Sequence, residues 1–270
     1  MKILLSFLLA VLAFNLNAQK PAVRIVSLAP SLTKSIYYMG AAEQLVGRTS
    51  YCFIADADDK EVVASAVSVN IEKVLTLKPD LVLATGITNP ETIALLQRAG
   101  IRTKVFQTPR NFEEICLHFQ ELGRLTGREA AADSIVAHTR EEVERIRASY
   151  EGQAAKTFFF QIGANPLFTV LDHTFMNDYI SFSGGINVAG GLKAGTLSRE
   201  WVLMKNPEVI VIVNMGLVGE EEKAIWESYP QLRAVKNDLV FFVESDMAST
   251  PNPPDFLKTL QSMQKILQAR

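Results

Sequence analysis

Apolar residues recur along this chain in two rhythms that take turns over most of its length. One is a short continuous run, the other a spacing of three and four. Continuous runs bounded by polar turns suit parallel strands covered on both faces, and the wider spacing suits helices that bury a single stripe. The pattern predicts strands over 24–28, 80–85 and 103–107, with helices over 31–39, 89–99 and 111–125. In the second half it predicts strands over 157–162, 208–213 and 238–243, and helices near 175–182, 198–205 and 254–269. Strands alternating with helices place the chain in the α/β class, with mostly parallel sheets.

Between the halves, residues 128–150 carry Ala132, Ile135, Val136, Val143, Ile146 and Tyr150 at helical spacing, with no Gly or Pro. A helix of that length reaches about 35 Å. Such a connector is stiff where a Gly/Ser linker would be slack, so it predicts two lobes around a cleft that moves little. The organisation expected is an N-terminal lobe over 19–127, a connecting helix over 128–152 and a C-terminal lobe over 153–270.

The two halves echo one another. Glu72-Lys73-Val74-Leu75 and Glu200-Trp201-Val202-Leu203 stand 128 residues apart, and at the same offset Pro79-Asp80 matches Pro207-Glu208. Each copy reads as a short helix stopped by proline and followed by an apolar strand. Two similar Rossmann-like lobes account for the repeat.

The first 18 residues have another character. Met1-Lys2 is a short positive start, and the apolar run Ile3–Phe14 is broken only by Ser6. That run is too short for the roughly 20 residues a spanning helix needs. It ends in Asn17-Ala18 before the polar Gln19-Lys20, the form of an export signal cut after Ala18. No Cys follows it, so a lipid-anchored lipoprotein is not expected. The mature chain is predicted to work in the periplasm as a monomer. Of the 270 residues, 48% are hydrophobic and 21% charged, which excludes a disordered or fibrous chain. A net charge of −2 leaves no basic footprint for nucleic acid. Cys52 and Cys116 lack C-x-x-C spacing; an oxidising compartment allows a disulfide between them, and two buried thiols are equally compatible.

Enzyme signatures are missing. There is no G-x-S-x-G elbow, no Walker A loop, no H-E-x-x-H and no G-x-G-x-x-G after a strand. The glycines between Gly184 and Gly191 follow a helix pattern and suit a helix C-cap and loop. His118 and His138 fall on predicted helices, as core-edge or solvated residues. His173, beside Asp172 on a loop, is the one histidine placed to face a cleft; an exported hydrolase using it, with Ser181 or Ser183 as nucleophile, is a distant alternative. No metal-ligand cluster and no catalytic residue is assigned.

Certain segments then carry a resemblance. Val26-Ser27-Leu28-Ala29-Pro30-Ser31, Val46-Gly47-Arg48-Thr49-Ser50-Tyr51, Asn70-Ile71-Glu72 and Lys78-Pro79-Asp80 resemble the helical-backbone class of periplasmic substrate-binding proteins. Phe160-Gln161-Ile162-Gly163-Ala164-Asn165-Pro166 and Ser198-Arg199-Glu200 extend the likeness across the mature chain, and these are most similar to members that carry vitamin B12. The class serves ABC importers for vitamin B12, haem and iron–siderophore complexes. The resemblance implies a ligand cleft between two lobes, a corrinoid as transported ligand in place of any resident cofactor, and a dimeric permease as partner. Glu72 and Glu200 match the rim glutamates that dock into arginine pockets of that permease. Independently of docking, an acid in a helix's first turn is also favoured by the macrodipole, at about 0.3–1 kcal/mol. Tyr51 and Phe168 match cleft-lining aromatics, and Asp246 matches an acid near the ligand edge.

There are departures. The vitamin B12 carriers have cleft tryptophans where this chain has Ala66, Ala194-Gly195 and Met247, so Met247 is assigned to the ligand site as a smaller apolar contact. The chain's own tryptophans, Trp201 and Trp226, fall on predicted helices. Haem is the alternative ligand, with Tyr51 or His173 toward iron. A ferric siderophore is disfavoured, because the cleft segments offer few cations beyond Arg48 and Lys193.

Overall fold

The computed structural model describes residues 23–269, apart from 57, 66–67, 215–216 and the side chains of 217–218. The proposed export signal and Ala66 lie outside the described residues. The first sheet has five parallel strands: β1 Ile25–Ser27, β2 Leu45–Thr49, β3 Glu61–Ala64, β4 Leu81–Thr85 and β5 Thr103–Phe106, in the order β3-β2-β1-β4-β5. Helices α1 Pro30–Tyr38, α2 Ile71–Thr76, α3 Pro90–Arg98 and α4 Phe112–Thr126 accompany it. The hydropathy pattern did not indicate β2 or β3. β2 interrupts its apolar residues with Gly47 and Arg48, and β3 is a short edge strand that opens on exposed Glu61 and Val62.

The second sheet runs β10-β9-β6-β7, built from β6 Lys156–Ala164, β7 Leu167–Thr169, β9 Val209–Asn214 and β10 Val240–Glu244. β7 folds back antiparallel on the end of β6, while β8 Gly185–Asn187 pairs parallel with its start. The Gly184–Gly191 segment therefore holds a short strand, a correction to the plain loop expected there. Gly184 takes the left-handed conformation expected just past a helix end. Helices α6 Asn177–Phe182, α7 Arg199–Lys205, α8 Leu217–Glu227, α9 Arg233–Lys236, α10 Ser245–Ala248 and α11 Pro253–Gln268 complete the lobe.

The repeat is structural. α2 and α7 begin on side-chain caps, Asn70 accepting from Lys73 N–H at 2.9 Å and Ser198 from Trp201 N–H at 3.2 Å. Past each helix end comes a non-glycine residue with positive φ, Lys78 at 46° and Asn206 at 48°, and then proline. The acid after each proline accepts from the main chain beside the neighbouring strand, Asp80 from Arg24 N–H at 2.7 Å and Glu208 from Thr157 N–H at 2.9 Å.

Helix α5, Glu129–Ala148, follows α4 after Gly127, whose φ of 66° allows the reversal. Its inward stripe, Ala132, Val136, Val143 and Ile146, packs with α4 and α11 into one apolar cluster that also takes residues from both sheets. Two further ties cross between the halves. Phe112, first in α4, lies 4.7 Å from Phe256, and its N–H donates to Asp178 on α6 at 2.7 Å. Lys34, buried on α1, reaches Asp246 at 2.6 Å and Asp255 at 3.1 Å. The cleft is thus floored by packed side chains rather than by a free hinge.

Candidate ligand cleft

In open parallel sheets, ligands collect at the carboxyl ends of the strands. Here that end of the first sheet holds a cavity of about 760 Å3, walled by Leu28–Pro30, Thr49, Tyr51, Ser68, Ile87 and Asn89, among others. A second cavity of about 260 Å3 shares Ala29, Pro30 and Ile87 with it and reaches toward β5 and α4. Its walls come from both halves, with Phe106, His118 and Phe119 facing Phe175 and Ser249–Pro251. None of the described residues lining either cavity is Asp, Glu, Lys or Arg.

Tyr51 stands on the turn after β2, 54% exposed, and is the large aromatic of the wider cavity. Its neighbours hold that turn in place: Thr49 Oγ1 lies 3.0 Å from Cys52 Sγ, and Arg48 turns inward to Asp56 at 3.0 Å. Arg48 is therefore buried behind the wall and not a cleft cation, a correction to its sequence-based placement. Ile87, 88% exposed, lines both cavities, and sequence reasoning overlooked it. An isolated apolar residue in a turn gives no periodic signal. His118, half-buried on α4 at the edge of the core, lines the smaller cavity edge-on to Phe106 at 5.5 Å, and burial lowers its pKa, favouring the neutral imidazole.

The other expected ligand residues lie outside these walls. Phe168 is half-exposed on β7 with its ring laid over Gly195, where a Cβ would stand 2.7 Å from ring carbons. Glycine at 195 lets the aromatic ring lie against the backbone. Asp246, second residue of α10, accepts from Lys34 Nζ at 2.6 Å, so it serves the contact between the halves. Met247, half-buried, follows it in the same short helix. Lys193 is exposed and lines neither cavity.

Glu72 and Glu200 occupy the same place in α2 and α7, second residue of the helix, both exposed to solvent. The Glu200 carboxyl is held below its ordinary range by its own backbone N–H and by Ser198. Elsewhere the catalytic alternative finds no support. His173 is exposed at a φ of 62°, and Asp172 is occupied by Gly191 N–H at 2.7 Å. Ser181 is turned to its own helix backbone, and Ser183 is buried. Cys52 and Cys116 are separate buried thiols; burial pushes Cys116 up to about 12. Among the described residues, no group of three or more His, Cys, Asp or Glu is placed to hold a metal ion. No helix among them is long and apolar enough to cross a membrane.

A family model described as periplasmic binding protein matches residues 25–247. The vitamin B12-binding protein of Vibrio cholerae is 28% identical over 250 residues, 91% of this chain and 88% of the relative. That of Yersinia pestis is 32% identical over 215 residues, covering 78% and 76%. A crystal structure of the periplasmic vitamin B12 binding protein of Vibrio cholerae superposes with a TM-score of 0.76 at 28% identity, covering 93% of this chain and 99% of that one. The periplasmic haem binding protein of the same organism shares the fold, with a TM-score of 0.80 at 17% identity over 91% of this chain and 99% of that one. With two lobes enclosing a ligand cleft and relatives that are substrate-binding proteins rather than enzymes, the chain belongs to the periplasmic binding protein family.

Proposed function

We propose that this protein captures a corrinoid of the vitamin B12 type in the periplasm and delivers it to the permease of an ABC importer. The observation that carries the ligand assignment is the absence of charge from the described cavity walls. Haem presents two propionates and a ferric siderophore is usually anionic; either would leave carboxylates or oxyanions desolvated without a partner. A corrinoid of the vitamin B12 type offers a broad apolar ring with a rim of neutral amides, and its single phosphodiester is balanced by the positive cobalt centre, so the molecule is neutral overall. Tyr51 and Ile87 give it apolar faces, while Thr49, Ser68 and Asn89 give hydrogen-bonding groups that match amides. The sequence likeness to vitamin B12-binding proteins supports the same choice.

Delivery is assigned to Glu72 and Glu200. Two exposed carboxylates, one per lobe at repeated positions, suit a partner that presents two equivalent cationic pockets, as a dimeric permease does. Charge reversal at both, Glu72→Lys with Glu200→Lys, is expected to abolish cyanocobalamin uptake by cells while leaving in vitro affinity unchanged. Uptake at the wild-type rate would contradict the docking assignment.

A further inference from the structure

The repeat that relates the two docking helices breaks at one telling position. Ile71, the first residue of α2, packs half-buried on the apolar cluster of the N-terminal sheet. The matching residue of α7 is Arg199. Its side chain turns inward, with one guanidinium nitrogen 3.0 and 3.2 Å from the two carboxylate oxygens of Glu222 on α8. The guanidinium also lies 4.5 Å over the ring of Trp226. Glu222 is buried and accepts from Gln161 Nε2 at 2.8 Å, and Gln161 Oε1 accepts from Trp226 Nε1 at 2.7 Å. Arg199, Glu222, Gln161 and Trp226 thus form a closed ring of contacts, beginning one residue before Glu200.

For stability alone this is a costly arrangement. Burying an ion pair forfeits hydration, and apolar residues of similar volume often serve as well. The N-terminal copy has an apolar residue at this same position, with Ile71. What the ion pair adds is direction. A planar guanidinium held at its edge by a carboxylate and on its face by an indole admits far fewer orientations than an apolar contact. In α2 the comparable fastening is at the surface, where Lys73 reaches Glu61 and donates to the Val62 carbonyl on β3 at 3.0 Å. Both docking helices are therefore pinned by a cation in the first turn, one exposed and one half-buried.

We propose that Arg199 is a positioning residue for permease docking, fixing the first turn of α7 through Glu222, Gln161 and Trp226 so that Glu200 is presented in one orientation. The inference rests on the docking role given to Glu200 above. Its test is the paired variant Arg199→Met with Glu222→Gln. This removes both charges together, keeps an acceptor for Gln161 and leaves a thioether over Trp226, so the lobe folds without a buried orphan charge. Thermal midpoint and cyanocobalamin affinity are expected to stay at wild-type values. Uptake by cells whose only copy is the variant should fall at least about tenfold, the scale of losing one well-oriented charge-assisted contact. In the isolated protein, hydrogen exchange of the backbone amides in the first turn of α7 should quicken as that turn loosens. Wild-type uptake and unchanged hydrogen exchange in the first turn of α7 in the paired variant would overturn the proposal while leaving docking by Glu200 intact. If Glu200→Arg alone leaves uptake unchanged, docking by Glu200 fails and the positioning role falls with it.

Discussion

Tyr51 projects from a wall made otherwise of small or aliphatic side chains, and more than half of it remains open to solvent. Removing it leaves the core untouched, so its loss is read in binding rather than in folding. Withdrawing an aromatic face from a flat apolar ligand costs about 1.5–3 kcal/mol. Tyr51→Ala is expected to weaken cyanocobalamin binding at least about tenfold by titration calorimetry, with the thermal midpoint unchanged; an unaltered affinity would remove Tyr51 from the site. At this scale the sequence offers candidates where a residue sits within a motif and is silent where only folding brings residues together. Tyr51, Glu72 and Glu200 belong to local patterns that survive in isolation. Ile87 and His118 meet at a shared wall only because β4, β5 and α4 converge. Asp246 lies 212 residues from Lys34, and no spacing rule announces a partner so distant.

At the scale of elements, the strands buried on both faces were the ones legible from hydropathy. β1, β4, β9 and β10 fall within a residue or two of their expected positions because unbroken apolar runs have few alternatives. β2 escaped notice because it carries Arg48, whose charge is neutralised by Asp56 beyond the strand's end. Helix α4 shows how an element can be locally legible and yet fastened from afar. Asn111 caps it by accepting from Glu114 N–H at 2.8 Å, and Asp178 from the other half takes Phe112 N–H. Burial raises the Asp178 pKa from the ordinary 3.8. Its protonated form therefore favours the folded chain, a contribution complete below the unfolded value and lost as pH rises through the raised one. Asp178→Asn keeps an acceptor for Phe112 and stays neutral throughout. Its melting midpoint relative to wild type is expected to climb as pH increases across that interval, and to show no such climb at more acid pH. A difference that does not vary with pH would show that Asp178 titrates as an ordinary surface carboxylate.

Across the whole molecule, the fold places one copy of a repeated helix–proline–strand unit in each of two similar halves, and the cavities open at the carboxyl ends of the first sheet's strands. The crevice is charge-free among its described lining residues, while Glu72 and Glu200 stand exposed on α2 and α7 and Lys34 is buried between Asp246 and Asp255. Lys34 with Asp246 and Asp255, the aromatic contact of Phe112 with Phe256 and the stripe of α5 all join the halves beneath the cleft. Such a floor ties the two halves together beneath the cavities. The claim on which the account turns is that an uncharged crevice selects a neutral amide-rimmed macrocycle over an anionic one. The direct measurement is calorimetric titration of the purified mature protein with cyanocobalamin and, in parallel, with haemin followed by absorbance. The account predicts tight one-to-one binding of cyanocobalamin and an unshifted Soret band with haemin. No heat with cyanocobalamin together with a shifted Soret band would contradict it, and would turn Tyr51 or His118 toward iron.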